Sequence, residues 1–96
     1  MHVLAKPIIV AFYTLYPDAR TSLLGWFAEA EHQRWRTFAE VRESFGNADR
    51  VGKFTVFNIA GGKYRLIAHI HHNRNKLFID QILTHEDYIK GDWKRD

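Results

Sequence analysis

Residues 51–89, VGKFTVFNIAGGKYRLIAHIHHNRNKLFIDQILTHEDYI, decide the fold because they predict a meander of consecutive β-strands. Three runs rich in β-branched and aromatic residues mark the strands, at positions 54–59, 64–71 and 77–83. Gly61-Gly62 joins the first two runs, and a glycine pair supplies the positive φ angles that a short hairpin needs. Asn73-Arg74-Asn75 predicts the second turn. The stretch therefore predicts a small, mainly antiparallel sheet.

The middle predicted strand has two chemically different faces, because successive side chains of a strand point to opposite sides. One face carries Tyr64, Leu66, Ala68 and Ile70, and the other carries Arg65, Ile67, His69 and His71. The apolar face needs a cover. The opposite face of a half-buried antiparallel sheet can be open to water or to a ligand.

The basic residues of the chain are concentrated on this meander. No acidic residue lies between Asp49 and Asp80, whereas six cations do: Arg50, Lys53, Lys63, Arg65, Arg74 and Lys76. Residues 1–50 hold six basic and six acidic side chains, and residues 51–96 hold eight and five. Such a cluster indicates a polyanionic partner, and a solvated basic surface is the alternative interpretation.

Length and composition predict one domain covering residues 1–96, with enough apolar content, 46%, for a buried core. The chain contains no cysteine, which excludes disulfides and thiol chemistry and fits a reducing compartment. The longest apolar run, residues 8–15, is too short to span a bilayer. We therefore expect a cytoplasmic protein without a membrane partner.

The first half of the chain predicts three helices that can cover the apolar face of the sheet, at about 7–16, 19–34 and 38–45. Pro7 suits the first turn of the first helix. Asp18 is the predicted N-cap of the second, and Thr37 opens a capping box for the third. The expected class is α+β, a two-layer fold with helices packed on a mainly antiparallel sheet of three to four strands.

The remaining segments carry weaker signals. Residues 2–5 predict an edge strand added to the meander, and residues 47–52 predict a linker into the sheet. Thr84 is a plausible cap for a last helical turn through Asp87 and Tyr88, which Gly91 would end. We expect residues 92–96 to be frayed.

A histidine cluster raises the question of a metal site. His69 and His71 share one face of the middle strand, so they can offer two imidazoles to an ion such as zinc, with His72 and His85 in the same half of the chain. That face offers no obvious carboxylate or thiolate as a third ligand. A structural or RNA-facing role is the other interpretation of these histidines.

Metal-free cleavage of RNA is a further possibility, because RNA carries its own nucleophile, the 2′-OH. Such an enzyme needs a base, an acid and cations for the extra phosphate charge. Arg65 suits the charge role, with Lys63 and Lys53 as auxiliary cations. His85 is a credible acid or base because it carries an imidazole, and Tyr88 can donate a proton or stack on a nucleobase.

Several motifs, taken in order, closely resemble the HigB toxin family, ribosome-dependent mRNA interferases of type II toxin–antitoxin modules within the RelE-like group. In the sheet they are Val56-Phe57-Asn58-Ile59, GGKYRLI at residues 61–67, and Thr84-His85 followed by Tyr88. In the helical half they are Tyr16-Pro17-Asp18-Ala19, Trp26, Trp35 with Phe38, and the segment from Phe45 to Gly52.

The resemblance implies helices packed on a small antiparallel sheet, cleavage of mRNA in the ribosomal A site, and inhibition by a helix-turn-helix antitoxin of the HigA type. It points to a functional set made of Asn58, Lys63, Arg65, His85 and Tyr88. The chain departs from the family at Ile89, where an Asp is usual, and at the turn before Lys63, where Gly-Asn is common. The histidine cluster is also not a family pattern.

The sequence thus predicts a toxin endoribonuclease that needs no metal and no cofactor, with Arg65, His85, Tyr88 and Lys63 as catalytic residues. Further contacts to RNA are expected from Lys53, Asn58, His69, His71, Arg74 and Lys76. The alternative is a non-catalytic basic module that binds RNA or the ribosome and arrests translation without cutting.

Overall fold

The computed structural model describes residues 1–94 and arranges them as a five-stranded sheet with helices against it. The strands are β1 (His2–Leu4), β2 (Asp49–Val51), β3 (Phe54–Ile59), β4 (Tyr64–His71) and β5 (Lys76–Thr84). The helices are α1 (Lys6–Leu15), α2 (Arg20–His32), α3 (Phe38–Ser44) and α4 (His85–Lys90). The strand order is β1-β5-β4-β3-β2, with β1 parallel to β5 and the other pairs antiparallel. The predicted α+β class is confirmed.

The three predicted strands of the meander form at the expected positions, and the sheet gains a strand at each edge. Residues 2–4 pair with β5, as predicted. The segment interpreted as a linker is different, because Asp49–Val51 pairs with β3 as a short edge strand. Gly52, with φ +59°, makes the tight turn between them. Three residues, two of them charged, carry no strand pattern of their own, so their pairing depends on β3.

The main core lies between the inner face of the sheet and the helices that precede it. Phe57 of β3, which is 1% exposed, is its centre. Its ring lies 5.2 Å from that of Trp26 on α2, 6.0 Å from that of Trp35 and 5.5 Å from that of Phe45. Leu66 and Ala68 of β4 are fully buried on the same side, so the apolar face predicted for the middle strand is the face that the helices cover.

Side-chain capping defines the start of α3 and α4, whereas α1 and α2 begin without it. Thr37 accepts a hydrogen bond from the backbone N–H of Glu40 at 3.3 Å, and Thr84 accepts one from that of Asp87 at 3.2 Å, so both are N-caps as predicted. The assignment of Asp18 as a cap is wrong. A 3₁₀ turn, Pro17–Ala19, runs directly into α2, and Ala19 occupies the N-cap position. The Asp18 carboxylate is therefore left to contact other groups.

The outer face of the sheet, opposite the helices α1 to α3, is partly covered by the end of the chain. We call α4 together with the 3₁₀ turn Asp92–Lys94 the C-terminal cover. Trp93 is only 6% exposed and packs with Val56 and Ile67 in a second, smaller core. The prediction of a frayed end is therefore wrong for residues 92–94, while residues 95 and 96 lie outside the described part. Within residues 1–94, no helix has the length and apolar character needed to cross a membrane.

Candidate active site

The four predicted catalytic residues lie at one end of the sheet, where the β3–β4 turn meets the start of α4. Lys63 ends the turn, and Arg65 is on the outer face of β4, paired across the sheet with Asn58. β5 delivers the chain to the same end, because Thr84 pairs with Tyr64. His85 and Tyr88 follow directly on α4. Residues that are up to 30 positions apart in sequence are thus brought together by a hairpin and one strand.

Arg65 is held in place by a backbone carbonyl and by an aromatic ring. Its Nη1 donates to the carbonyl of Gly62 and also lies 3.4 Å from that of Tyr64. Its guanidinium carbon lies 5.1 Å from the centroid of the Tyr88 ring, within cation–π range. Gly62 has φ +93°, and a Cβ atom there would lie 3.3 Å from Nη1. The turn therefore needs glycine both for its backbone and for the approach of the guanidinium.

Tyr88 is fixed between Arg65 and the C-terminal turn. Its ring stacks on that of Trp93, with centroids 5.1 Å apart and planes at 15°. The Trp93 Nε1–H donates to the Tyr88 carbonyl at 2.9 Å. Burial raises the pKa of the Tyr88 hydroxyl, and the nearby charge of Asp49 acts in the same direction. The phenol therefore stays protonated at neutral pH and can donate a hydrogen bond or a proton.

Lys63 is anchored by an acid from the helical layer. Its ammonium forms an ion pair with the carboxylate of Asp18, whose other oxygen accepts a hydrogen bond from the Tyr64 hydroxyl at 2.7 Å. The bond to Asp18 raises the pKa of Lys63, and the bonds from Lys63 and Tyr64 lower the pKa of Asp18. Lys63 is thus a fixed cation and not a base at neutral pH.

His85 presents an exposed imidazole beside these cations. Its backbone N–H donates to the Lys63 carbonyl at 3.1 Å, so the first residue of α4 is tied to the β3–β4 turn. Both residues line an open depression together with Tyr16, Thr84 and Glu86. The depression combines a fixed cation with an accessible imidazole, which suits an anionic ligand that exchanges protons.

The other residues expected to contact RNA are not at this end of the sheet, apart from Asn58. His71 pairs with Lys76 at the opposite end of β4 and β5, and Arg74 lies in the 3₁₀ turn between those strands. His69 lies one pair nearer the centre, opposite Phe78, and Lys53 lies in the turn before β3. The structure therefore separates the predicted residues into a compact site and a distal group.

The histidine cluster does not converge on one point. The rings of His69 and His71 are neighbours, with centroids 4.5 Å apart. The Nδ1 of His72 instead lies 3.0 Å from the Trp35 carbonyl, toward the helical layer. Among residues 1–94, no three His, Cys, Asp or Glu side chains are arranged to hold a metal ion. The cluster offers an ion two imidazoles and no more in this part of the chain.

Two residues of the site were missed by sequence reasoning. Asp18 was interpreted as a helix cap, and nothing local shows that it reaches a lysine 45 positions away. The sequence pattern predicts that Trp93 lies in a frayed end, whereas its ring stacks on that of Tyr88. The spacing between Tyr88 and Trp93, with a helix-ending Gly91 between them, was the available signal that the two rings can meet.

Comparison with known proteins identifies related chains over almost the whole length. The family model HigB_toxin, described as the RelE-like toxic component of a toxin-antitoxin system, matches residues 19–91. The mRNA interferase HigB of Escherichia coli O6:H1 is 26% identical over 93 residues, which cover 94% of this chain and 90% of the relative. The mRNA interferase toxin HigB of Escherichia coli K12 is 24% identical over 91 residues, which cover 92% and 88%.

Proposed function

Because the chain belongs to the HigB toxin family of toxin–antitoxin systems, we propose that it is an endoribonuclease that cleaves mRNA. The relatives are named mRNA interferases, which supports the same reaction class. The observation that carries the proposal is Arg65, a guanidinium fixed by the Gly62 carbonyl and the Tyr88 ring, with a second anchored cation, Lys63, two residues earlier in the chain. Fixed cations at this end of the sheet suit a phosphodiester that gains charge during cleavage.

The reaction we propose uses the 2′-OH of the substrate as nucleophile and no metal ion. The 2′ oxygen loses its proton and forms a bond to phosphorus, while the bond from phosphorus to the 5′ oxygen breaks. The products are a 2′,3′-cyclic phosphate and a 5′-hydroxyl, and the 5′ oxygen takes up a proton. Arg65 and Lys63 stabilise the extra negative charge on the phosphoryl oxygens as it develops.

We propose His85 as the base, and the directions of two pKa shifts support this choice. The pKa values of Lys63 and Tyr88 are both raised, so neither group is available as a base near neutral pH. His85 is the remaining group of the set that can accept the 2′ proton. Two protonated groups remain for the leaving oxygen, the Lys63 ammonium and the Tyr88 hydroxyl. If Lys63 is the acid, the Tyr88→Phe variant should still show the fall in cleavage activity as the pH rises into the alkaline range.

The ribosome is the proposed partner that positions the substrate, with the cut in the A site of the translating ribosome in the cytoplasm. The depression is open and offers few groups that would align a flexible RNA strand. Alignment supplies a large part of an enzyme's rate, so a partner that holds the mRNA would raise cleavage strongly. An antitoxin, in our proposal a helix-turn-helix protein of the HigA type, would inhibit the toxin.

The test is primer extension on a defined mRNA in a purified translation system, with and without ribosomes and with a chelator present. We expect cuts within codons that need ribosomes, resist the chelator and disappear in the Arg65→Ala variant. Arg42→Ala is the matched control, because that exposed arginine donates only to the Gly46 carbonyl within the helical layer. Blocked translation with intact mRNA would instead support the non-catalytic binding module.

A further inference from the structure

A group of rings lies on the outer face of the sheet at the end away from Arg65. His69 pairs with Phe78 across β4 and β5, and His71 lies beside both. The ring centroids of His69 and His71 are 4.5 Å apart, and those of His71 and Phe78 are 5.4 Å apart with planes at 84°. We call His69, His71 and Phe78 the distal aromatic surface. None of the reaction steps above uses it.

Two members of the distal aromatic surface, His69 and Phe78, form one wall of a groove. The Phe78 side chain is 39% exposed, although the residue sits within a strand. Phe54, Trp93, Lys53 and Asp80 also line the groove, which has a volume of about 410 Å³. The exposed Phe78 ring and the His69 imidazole offer a surface of the type on which an unpaired nucleobase stacks.

His69 contributes an uncharged ring to this wall. Burial lowers the pKa of His69, the neighbouring charges of His71 and Lys53 act in the same direction, and Asp80 opposes them. The imidazole is therefore neutral near pH 7. A neutral ring offers its face for stacking and contributes no positive charge to phosphate binding.

The groove and the Arg65 site lie on the same face of β4, on either side of Ile67, which Trp93 buries. Arg65, Ile67, His69 and His71 all lie on the outer face of β4, because side chains two residues apart share a face. Arg65 and His69 are four residues apart, which is about 13 Å at the rise of a strand. An RNA strand whose phosphate lies at Arg65 can reach the groove a short way along its backbone.

We propose that the groove against the distal aromatic surface is a nucleobase subsite, which stacks one unpaired base of the RNA strand whose phosphate lies at Arg65. The inference rests on the proposed function and extends it, since it identifies a second point at which the substrate is held. The ligand class is single-stranded RNA, because a paired base has both faces covered. The imidazole pair then serves in stacking.

The experiment is a scan of abasic nucleotides through a single-stranded RNA that carries a 2′-deoxy group at the cut position, so that it binds without being cleaved. Affinity is measured for the wild-type chain and for Phe78→Leu, which keeps an apolar side chain and removes the ring. We expect one abasic position to cost the wild type roughly fivefold or more in affinity and to cost Phe78→Leu almost nothing. His32→Ala, an exposed histidine of α2, is the control and should behave as wild type.

Proton NMR of the imidazoles gives a measurement that does not depend on any variant folding. Addition of the intact RNA should shift the ring signals of His69 and His71, and the abasic RNA at the sensitive position should not. If the RNA binds and mRNA is cleaved in the translation assay with ribosomes, but every abasic position affects wild type and Phe78→Leu equally, the subsite is wrong and the proposed function stands. Phe78→Leu that binds RNA normally but loses the antitoxin would also overturn the subsite. If the chain does not bind this RNA and also leaves mRNA intact in the translation assay with ribosomes, the proposed function itself is wrong.

Discussion

Arg65 depends on a glycine for its position, because the atom that holds the guanidinium is the carbonyl of Gly62 and the space above that residue is occupied by the guanidinium itself. Ordinary surface arginines lose much side-chain entropy when they bind a phosphate. A guanidinium that is already fixed, with the Tyr88 ring against it, loses less on binding. This fixed position explains why Arg65, among several arginines, is suited to catalysis.

The Gly62→Ala variant tests this arrangement against a neighbour with similar backbone strain. Gly61 and Gly62 both have positive φ, but a Cβ at Gly61 would meet nothing within 4 Å, whereas at Gly62 it would press on Arg65. Each substitution should cost roughly 1 kcal/mol of unfolding free energy from backbone strain. Only Gly62→Ala should also lose cleavage, by about tenfold or more at equal stability loss. Equal activity in the two variants, measured with their denaturant midpoints, would show that the guanidinium position is unimportant.

Asp18→Asn tests whether the acid of the helical layer positions Lys63. The bond to Asp18 raises the pKa of Lys63, so its loss should bring that pKa back toward the ordinary lysine value. We expect slower cleavage with little change in substrate affinity. The Lys63 pKa is read by NMR titration of the side chain. A Lys63 pKa that does not move in Asp18→Asn would refute the anchoring role.

The lowered pKa of Asp18 predicts how the free energy of unfolding changes as the pH falls. Its pKa in the folded chain is lower than in the unfolded chain, so the stabilisation it gives is complete above the unfolded pKa. That stabilisation is lost as the pH falls through the folded value. Wild type should therefore lose more stability on acidification than Asp18→Asn does, as measured by denaturant midpoints at a series of pH values. Parallel pH curves for the two chains would contradict the prediction.

At the scale of the element, α4 carries both the imidazole and the phenol of the site on six residues. Its ends are defined by Thr84, which caps it, and by Gly91, which has φ +78°. These were predicted from sequence because caps and left-handed glycines are local signals. β2 was not predicted, since a three-residue edge strand is formed by pairing with β3 and not by its own pattern.

Thr84→Ala and Thr37→Ala form a matched pair that separates helix stability from site geometry. Both threonines accept a hydrogen bond from the backbone N–H three residues later, and each variant should lose about 1 kcal/mol. Thr37 caps α3, which contributes no proposed catalytic residue. Cleavage should therefore fall in Thr84→Ala beyond what its stability loss explains, and stay near wild type in Thr37→Ala. Equal cleavage rates in the two variants would show that the geometry of α4 does not matter for the reaction.

At the scale of the whole molecule, the sheet separates a helical layer from the outer face, which carries Arg65. Three helices bury the inner face, and the C-terminal cover packs Trp93 on the outer one. The meander, its alternation and its basic charge were all readable in sequence, because they are periodic or compositional. The contacts of Asp18 and Trp93 were not, because each joins segments whose meeting depends on how the layers pack.

The distribution of charge predicts how RNA binding responds to salt. Each phosphate contact by a cation releases counterions, so the logarithm of the binding constant should fall with that of the salt concentration, by about 0.7 per contact for a single strand. Lys63→Ala should lower this slope by about one contact. Lys6→Ala, where the ammonium lies over the Phe27 ring in the helical layer, should leave it unchanged. Identical slopes for wild type and Lys63→Ala would show that Lys63 does not contact a phosphate.

The most direct test of the central claim, that side chains at the Arg65 site cleave RNA through its own 2′-OH, is a single-atom change in the substrate. An mRNA with a 2′-deoxy group at one mapped cut position is given to ribosomes and wild-type protein in the presence of a chelator. We expect that this cut disappears, that neighbouring cuts remain, and that the fragment released by cleavage of the normal mRNA ends in a 2′,3′-cyclic phosphate. Continued cleavage at the 2′-deoxy position would contradict the central claim.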